Sequence, residues 1–151
     1  MRTKIKKNLT LLLLVLSMLL FAGCTSKIAY GDIVDEEEMA VVLEEKEMEI
    51  DVQSNENETW INASNDRMTL HYWVNEYDNY YIEQSRQSSL RMAEELGGEV
   101  NEFNGLTEII IDWNTVGQDF YSVHLYEENR RIHIRLYELN ELEEIRSLII
   151  Q

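Results

Sequence analysis

The chain has one cysteine in 151 residues, Cys24, and no other feature constrains its fold more. No disulfide can form within it, so whatever folds beyond Cys24 must be held by its own core. Cys24 closes an apolar block running from Leu9 to Ala22, and that block follows a basic start of Arg2, Lys4, Lys6 and Lys7. The block is short for a bilayer span, which takes about 20 apolar residues. A basic head, a short apolar centre and small residues at its end form the pattern of a secretory signal.

The run Leu20-Phe21-Ala22-Gly23-Cys24 resembles the lipobox of bacterial lipoproteins. In that family the cysteine sulfur receives a diacylglyceryl group and a peptidase cuts before it, which implies that Cys24 is lipidated and opens the mature chain. Ala22 and Gly23 fit the small positions before the cut, while Phe21 stands where leucine is usual. Two acyl chains anchor stably where one holds only marginally. The resemblance therefore implies a chain lipid-anchored to the cell membrane on its extracytoplasmic side. The expected organisation is a signal peptide over 1–23, the lipidated cysteine and an acidic tether over 24–38, and a single domain over 39–151.

Charge narrows the partners. Loss of residues 1–23, with their four basic and no acidic residues, takes the formal charge from −16 to −20. Such a balance argues against nucleic acid, whose recognition needs a basic footprint. It suits an exposed domain kept soluble by charge, and it leaves a basic protein or peptide as a possible class of partner. The run Asp35-Glu36-Glu37-Glu38 ends the expected tether, whose 14 residues from Thr25 reach at most ~50 Å when extended.

Residues 39–47 read equally as a helix capped by Asp35 or as a strand, and Met48, Ile50 and Val52 alternate with acids in the period of a strand. Ser54 to Glu58 reads as a loop. Met68, Leu70, Tyr72 and Val74 then share one face of a strand over Arg67–Asn75, with Thr69, His71 and Trp73 on the other. A long helix follows from about Tyr80 to Leu96, stopped by Gly97-Gly98, with Ile82, Ser85, Ser89, Met92, Ala93 and Leu96 facing inward. Strands are expected over Leu106–Trp113, Asp119–Tyr126 and Arg131–Tyr137, then a short helix capped by Asn140. The fold class is α+β: a small antiparallel sheet of four to five strands, with one long helix packed on it and a short C-terminal helix. The stretch Tyr80–Tyr137, a helix stopped by Gly-Gly and followed by strands, resembles PepSY-type extracytoplasmic domains.

The last hairpin holds the most distinctive surface. If Glu127 pairs with Arg130, His124 faces His133, and Tyr121, Val123 and Leu125 face the core opposite Leu136, Ile134 and Ile132. The other side then gathers His124, His133, Arg131, Arg135, Tyr126 and Tyr137, a basic and aromatic candidate binding face on an acidic chain. Opposed side chains sit about 5 Å apart at their β-carbons, close enough for two imidazoles to share a metal. Two histidines without a placed carboxylate or thiolate make a poor metal site, so no metal and no cofactor is expected. The acidic N-terminal segment folding over this face is the competing expectation. Tyr72, Trp73, Tyr77, Tyr80 and Tyr81 form a second aromatic group suited to packing or to stacking on sugars.

No Gly-x-Ser-x-Gly elbow, His-Glu-x-x-His pair or glycine-rich phosphate loop occurs in the sequence. The expectation is a non-enzymatic, membrane-anchored interaction module. The alternatives are an inhibitor or immunity-type protein that captures a basic enzyme or toxin and, less favoured, a small cell-wall hydrolase using a carboxylate and one histidine.

Overall fold

A computed structural model describes residues 32–76 and 79–150. The expected signal peptide, Cys24, most of the expected tether and Tyr77 lie outside these residues. Seven strands form one sheet: β1 (Glu49–Ser54), β2 (Glu58–Ser64), β3 (Met68–Asn75), β4 (Glu99–Phe103), β5 (Leu106–Asp112), β6 (Tyr121–Glu127) and β7 (Arg130–Leu136). Three α-helices accompany them: α1 (Glu36–Glu45), α2 (Tyr80–Leu96) and α3 (Leu142–Ile149). The strand order is β1-β2-β3-β7-β6-β5-β4, and every neighbouring pair is antiparallel. Two meanders, β1 to β3 and β4 to β7, are thus joined through α2, and the chain closes the sheet by laying β7 beside β3. The α+β class holds, but the sheet is larger than the four to five strands expected.

The two unexpected strands are β2 and β4. Thr59, Ile61 and Ala63 of β2 face one way and Trp60, Asn62 and Ser64 the other, but asparagine and alanine there weaken the strand signal. Asn55 and Asn65 bracket β2 with side-chain turns: each Oδ1 accepts two backbone N–H groups, from Asn57 and Glu58 and from Arg67 and Met68. β4 is an edge strand, and its acids Glu99 and Glu102 give it the charged character that keeps edges from pairing with other chains.

The first face of the sheet is closed. Ile61, Leu70, Tyr72, Val123, Leu125, Ile132, Ile134 and Leu136 bury against Met39 and Leu43 of α1 and Ile145 and Ile149 of α3. The acidic run is not tether. Glu36, Glu37 and Glu38 form the first turn of α1, where their charges meet the positive end of the helix, and Asp35 caps it by accepting the Glu38 N–H at 3.0 Å. Ile33 and Val34, 2 % and 5 % exposed, belong to the core, and Ile33 bridges to Ile150. The domain therefore starts by residue 33 rather than 39. α3 also departs from expectation: Asn140 lies inside a 3₁₀ turn, Leu139–Glu141, and no side chain caps the helix.

α2 packs on the second face of the sheet, over β5 and β6. Gly97 takes the left-handed conformation that ends it (φ +72°), and Gly98 lets the chain pass 2.6 Å, measured to an added Cβ, from the Ile110 carbonyl. Ile82 and Ala93 bury with Ile109, Ile111 and Tyr126, flanked by Leu90, Met92, Leu96, Trp73 and Trp113. No cover for the β1–β2–β3 side of this face exists among the described residues.

Candidate functional site

The pairing of β6 with β7 is the one the hairpin pattern predicts: Glu127 opposite Arg130, His124 opposite His133, Tyr126 opposite Arg131 and Ser122 opposite Arg135. The register continues across the sheet, so Asn62, His71, His133, His124 and Ile109 lie in one row over β2, β3, β7, β6 and β5. All three histidines of the chain therefore stand side by side on the second face. His124 and His133 stack at 4.5 Å between ring centroids with planes 5° apart, and His71 lies 5.9 Å from His133.

Stacking of that kind does not chelate. Ring lone pairs point outward in the ring plane, so two parallel imidazoles face to face aim them past any common point. Among the described residues no three His, Cys, Asp or Glu side chains are arranged to hold a metal ion.

α2 divides the predicted surface. His124 and Tyr126 lie beneath the helix, 6 % and 2 % exposed, whereas Arg131 and His133 are half-buried and Arg135 and Tyr137 exposed. The six residues thus do not form one open patch. The cover is α2, and the described part of the acidic N-terminal segment, residues 32–38, lies on the opposite face.

Beneath α2 a chain of hydrogen bonds joins helix to sheet. Trp113 Nε1 donates to Ser122 Oγ at 2.8 Å, and Ser122 Oγ lies 3.2 Å from His124 Nε2. His124 Nδ1 lies 3.4 Å from Ser89 Oγ, which is 2.8 Å from the Tyr126 hydroxyl, itself 3.1 Å from Ser85 Oγ. A neutral imidazole with its proton on Nδ1 satisfies this chain in one direction: Ser122 donates to Nε2, and Nδ1–H donates to Ser89. A second proton would leave the Ser122 hydroxyl hydrogen without its acceptor. Burial pushes His124 down to about 3, with the His133 and Arg131 charges adding to it. His133 is lowered to about 4, first by burial and then by Arg131, His71 and Arg135.

On the open side, Trp60 and Trp73 are cross-strand partners whose ring planes lie 4° apart with centroids 6.3 Å apart. With Asn62, His71, Arg131 and His133 they line a depression of ≈ 220 Å³. Asn62 Oδ1 holds His71 Nδ1 at 2.7 Å. Arg135 stacks over Phe120 at 3.9 Å. Among the described residues neither Arg131 nor Arg135 forms an ion pair, on a chain with 29 acidic side chains. Among the described residues Trp73 Nε1 and Arg131 Nε are buried with no hydrogen-bond partner, as is Arg130 Nε on the closed side of the sheet.

Trp60 and Asn62 escaped sequence reasoning because β2 did. The detectable signal was the pair of asparagine turns on either side of it. The second aromatic group does not converge: Tyr72 and Trp73 alternate onto opposite faces. Tyr72 is buried and donates to the Val34 carbonyl at 3.3 Å, and Tyr80 and Tyr81 stand exposed, edge to face at 5.4 Å. No histidine is hydrogen-bonded to a carboxylate among the described residues.

No protein-family model matches the chain, and no curated protein matches it in sequence. Among solved structures, the crystal structure of a GTP binding regulator from Thermotoga maritima is 9 % identical over 78 % of this chain and 85 % of that one, with a TM-score of 0.43. A likeness of that size carries no argument about this chain.

Proposed function

We propose that this chain is a bacterial lipoprotein anchored through Cys24, and that its domain is a non-catalytic interaction module on the extracytoplasmic side of the membrane. The observation that carries the reading is the position of the only cysteine, at the end of a short apolar block behind Ala22-Gly23. The fold supports it in one respect. Residues 32–34, through which an anchor would hold the domain, are pinned on the closed face: the Ile33 N–H donates to Glu127 Oε2 at 3.1 Å and Arg130 donates to the Ile33 carbonyl at 3.3 Å. The open half of the second face lies on the far side of the sheet from that attachment and is uncovered among the described residues. No helix among the described residues is long and apolar enough to cross a membrane.

The recognition surface in this reading is the open β2–β3–β7 strip, with Trp60, His71, Trp73, Arg131, His133 and Arg135. Its uncompensated arginines favour an electron-rich partner there, and weigh against that strip being where a basic protein is captured. Membrane fractionation with mass measurement tests the anchor. Cys24→Ser should appear in the soluble fraction or persist as an uncut precursor. A mutant that stays membrane-bound at the processed mass would sink the lipid-anchor reading.

A further inference from the structure

We propose that the depression between Trp60, Trp73 and Arg131 is a saccharide subsite that takes a sugar ring carrying a carboxylate. This deepens the reading of the open strip as the recognition surface and rests on it. Three observations lead here.

The first is charge. Arg131 and Arg135 stand on the same side of β7 with no carboxylate partner among the described residues, although acidic residues outnumber basic ones by more than two to one. An arginine fork is suited to bidentate capture of a carboxylate, and such a contact is stronger than one between neutral groups. The second is unmet hydrogen bonding. Trp73 and Arg131 are cross-strand partners, and the indole Nε1 and guanidinium Nε are both buried donors without acceptors among the described residues. An orphaned buried donor is costly to the fold, and a ligand oxygen that satisfied it would offset that cost. Both atoms lie beneath the surface of the depression that their side chains line.

The third is shape. Trp60 and Trp73 present adjacent indoles, which pack against the C–H face of a pyranose as they do against other apolar surfaces. The ≈ 220 Å³ depression is smaller than the ~300–1,000 Å³ of sites for drug-sized ligands and has room for a single ring. Asn62 and the imidazoles of His71 and His133 line it with groups that both donate and accept, matching hydroxyls. A flat aromatic anion would use the indoles and the arginine but not these polar groups.

Isothermal titration calorimetry on the full chain, in a detergent without a sugar headgroup, separates the cases with three probes: methyl glucuronide, methyl glucoside and benzoate. The glucuronide should bind roughly tenfold or more tightly than either of the others, the size of one charge-assisted contact. Arg131→Gln should lose that advantage. Trp73→Phe, which keeps a ring and drops the donor, should weaken binding several-fold with the thermal midpoint little changed. Should the glutamine variant fail to fold, Arg131→Lys retains the charge without Nε and should also bind several-fold more weakly. Equal affinity for glucoside and glucuronide, benzoate binding as tightly as the glucuronide, unchanged binding in the folded Arg131 variant, or no heat with the glucuronide at millimolar concentration would each overturn the proposal. Failure here with envelope cross-links still formed from position 71 would dismiss the sugar and leave the interaction surface standing.

Discussion

Under α2, the β5–β6 half of the second face carries Ile109, Ile111, His124 and Tyr126; on β3 and β7 the same face carries His71, Trp73, Arg131 and His133 in or near solvent. The row of imidazoles runs through both halves. In the covered half, the small side chains Ser85 and Ser89 let the helix approach and supply His124 and Tyr126 with hydroxyl partners. In the open half, Arg131 Nε and the Trp73 indole N–H have no hydrogen-bond partner among the described residues. The covered half uses its polar groups to hold a helix, whereas the open half pairs His71 with Asn62 across its own strands and leaves the Trp73 and Arg131 donors unmatched among the described residues. Polar residues on a sheet face do not by themselves mark a binding surface; the proposal for the open half rests on its arginines without ion pairs among the described residues and on the depression that Arg131 lines.

Deleting side-chain volume should separate the halves most strongly. Ile109→Ala, at a fully buried site between α2 and the sheet, should destabilise by about 2–5 kcal/mol in denaturant unfolding. His71→Ala, in the same row but exposed, should change stability by no more than about 0.5 kcal/mol. Similar losses at both positions would mean that the halves do not differ as described.

Acid should expose the next contrast. His124 and His133 have folded pKa values near 3 and 4, below the unfolded value of about 6.5. The unfolded chain therefore binds more protons than the folded one between these values. Their contribution is fully present above about pH 6.5 and is lost as pH falls from there through 4 toward 3, to the order of a few kcal/mol. Gln in place of His124 offers a donor and an acceptor without titrating. His124→Gln should flatten the loss between pH 6.5 and 4 relative to the natural chain, as read from unfolding curves at each pH. An unchanged pH profile would show that His124 is not held neutral under α2.

How far these halves were legible in the sequence follows from where the information lay. Alternation fixed the two sides of β3 and of the last hairpin, and the turn at Glu128-Asn129 fixed the register that aligned His124 with His133. Gly97-Gly98 marked the end of α2. Which face α2 would cover was not legible, because a helix face of Ile82, Ser89 and Ala93 fits an aliphatic sheet face or one with a tyrosine and a histidine that need hydroxyl partners. The acidic run read as tether because its charges look solvated. They are, at a helix N-terminus, while the burial that defines the domain edge is carried by Ile33 and Val34 just before it. A further surprise lay on the closed face. Glu108, fully buried, is held by Arg146 at 2.5 and 2.7 Å, and nothing local in either segment signals that pairing.

The central claim is that the open half meets a partner and the covered half does not. Photo-cross-linking of the full chain in living cells tests it directly, with a benzophenone side chain at position 71 on the open strip or at position 84 on the exposed back of α2. The account predicts discrete adducts of higher mass from position 71 and none from position 84. Adducts from position 84 alone, or from neither position, would contradict it.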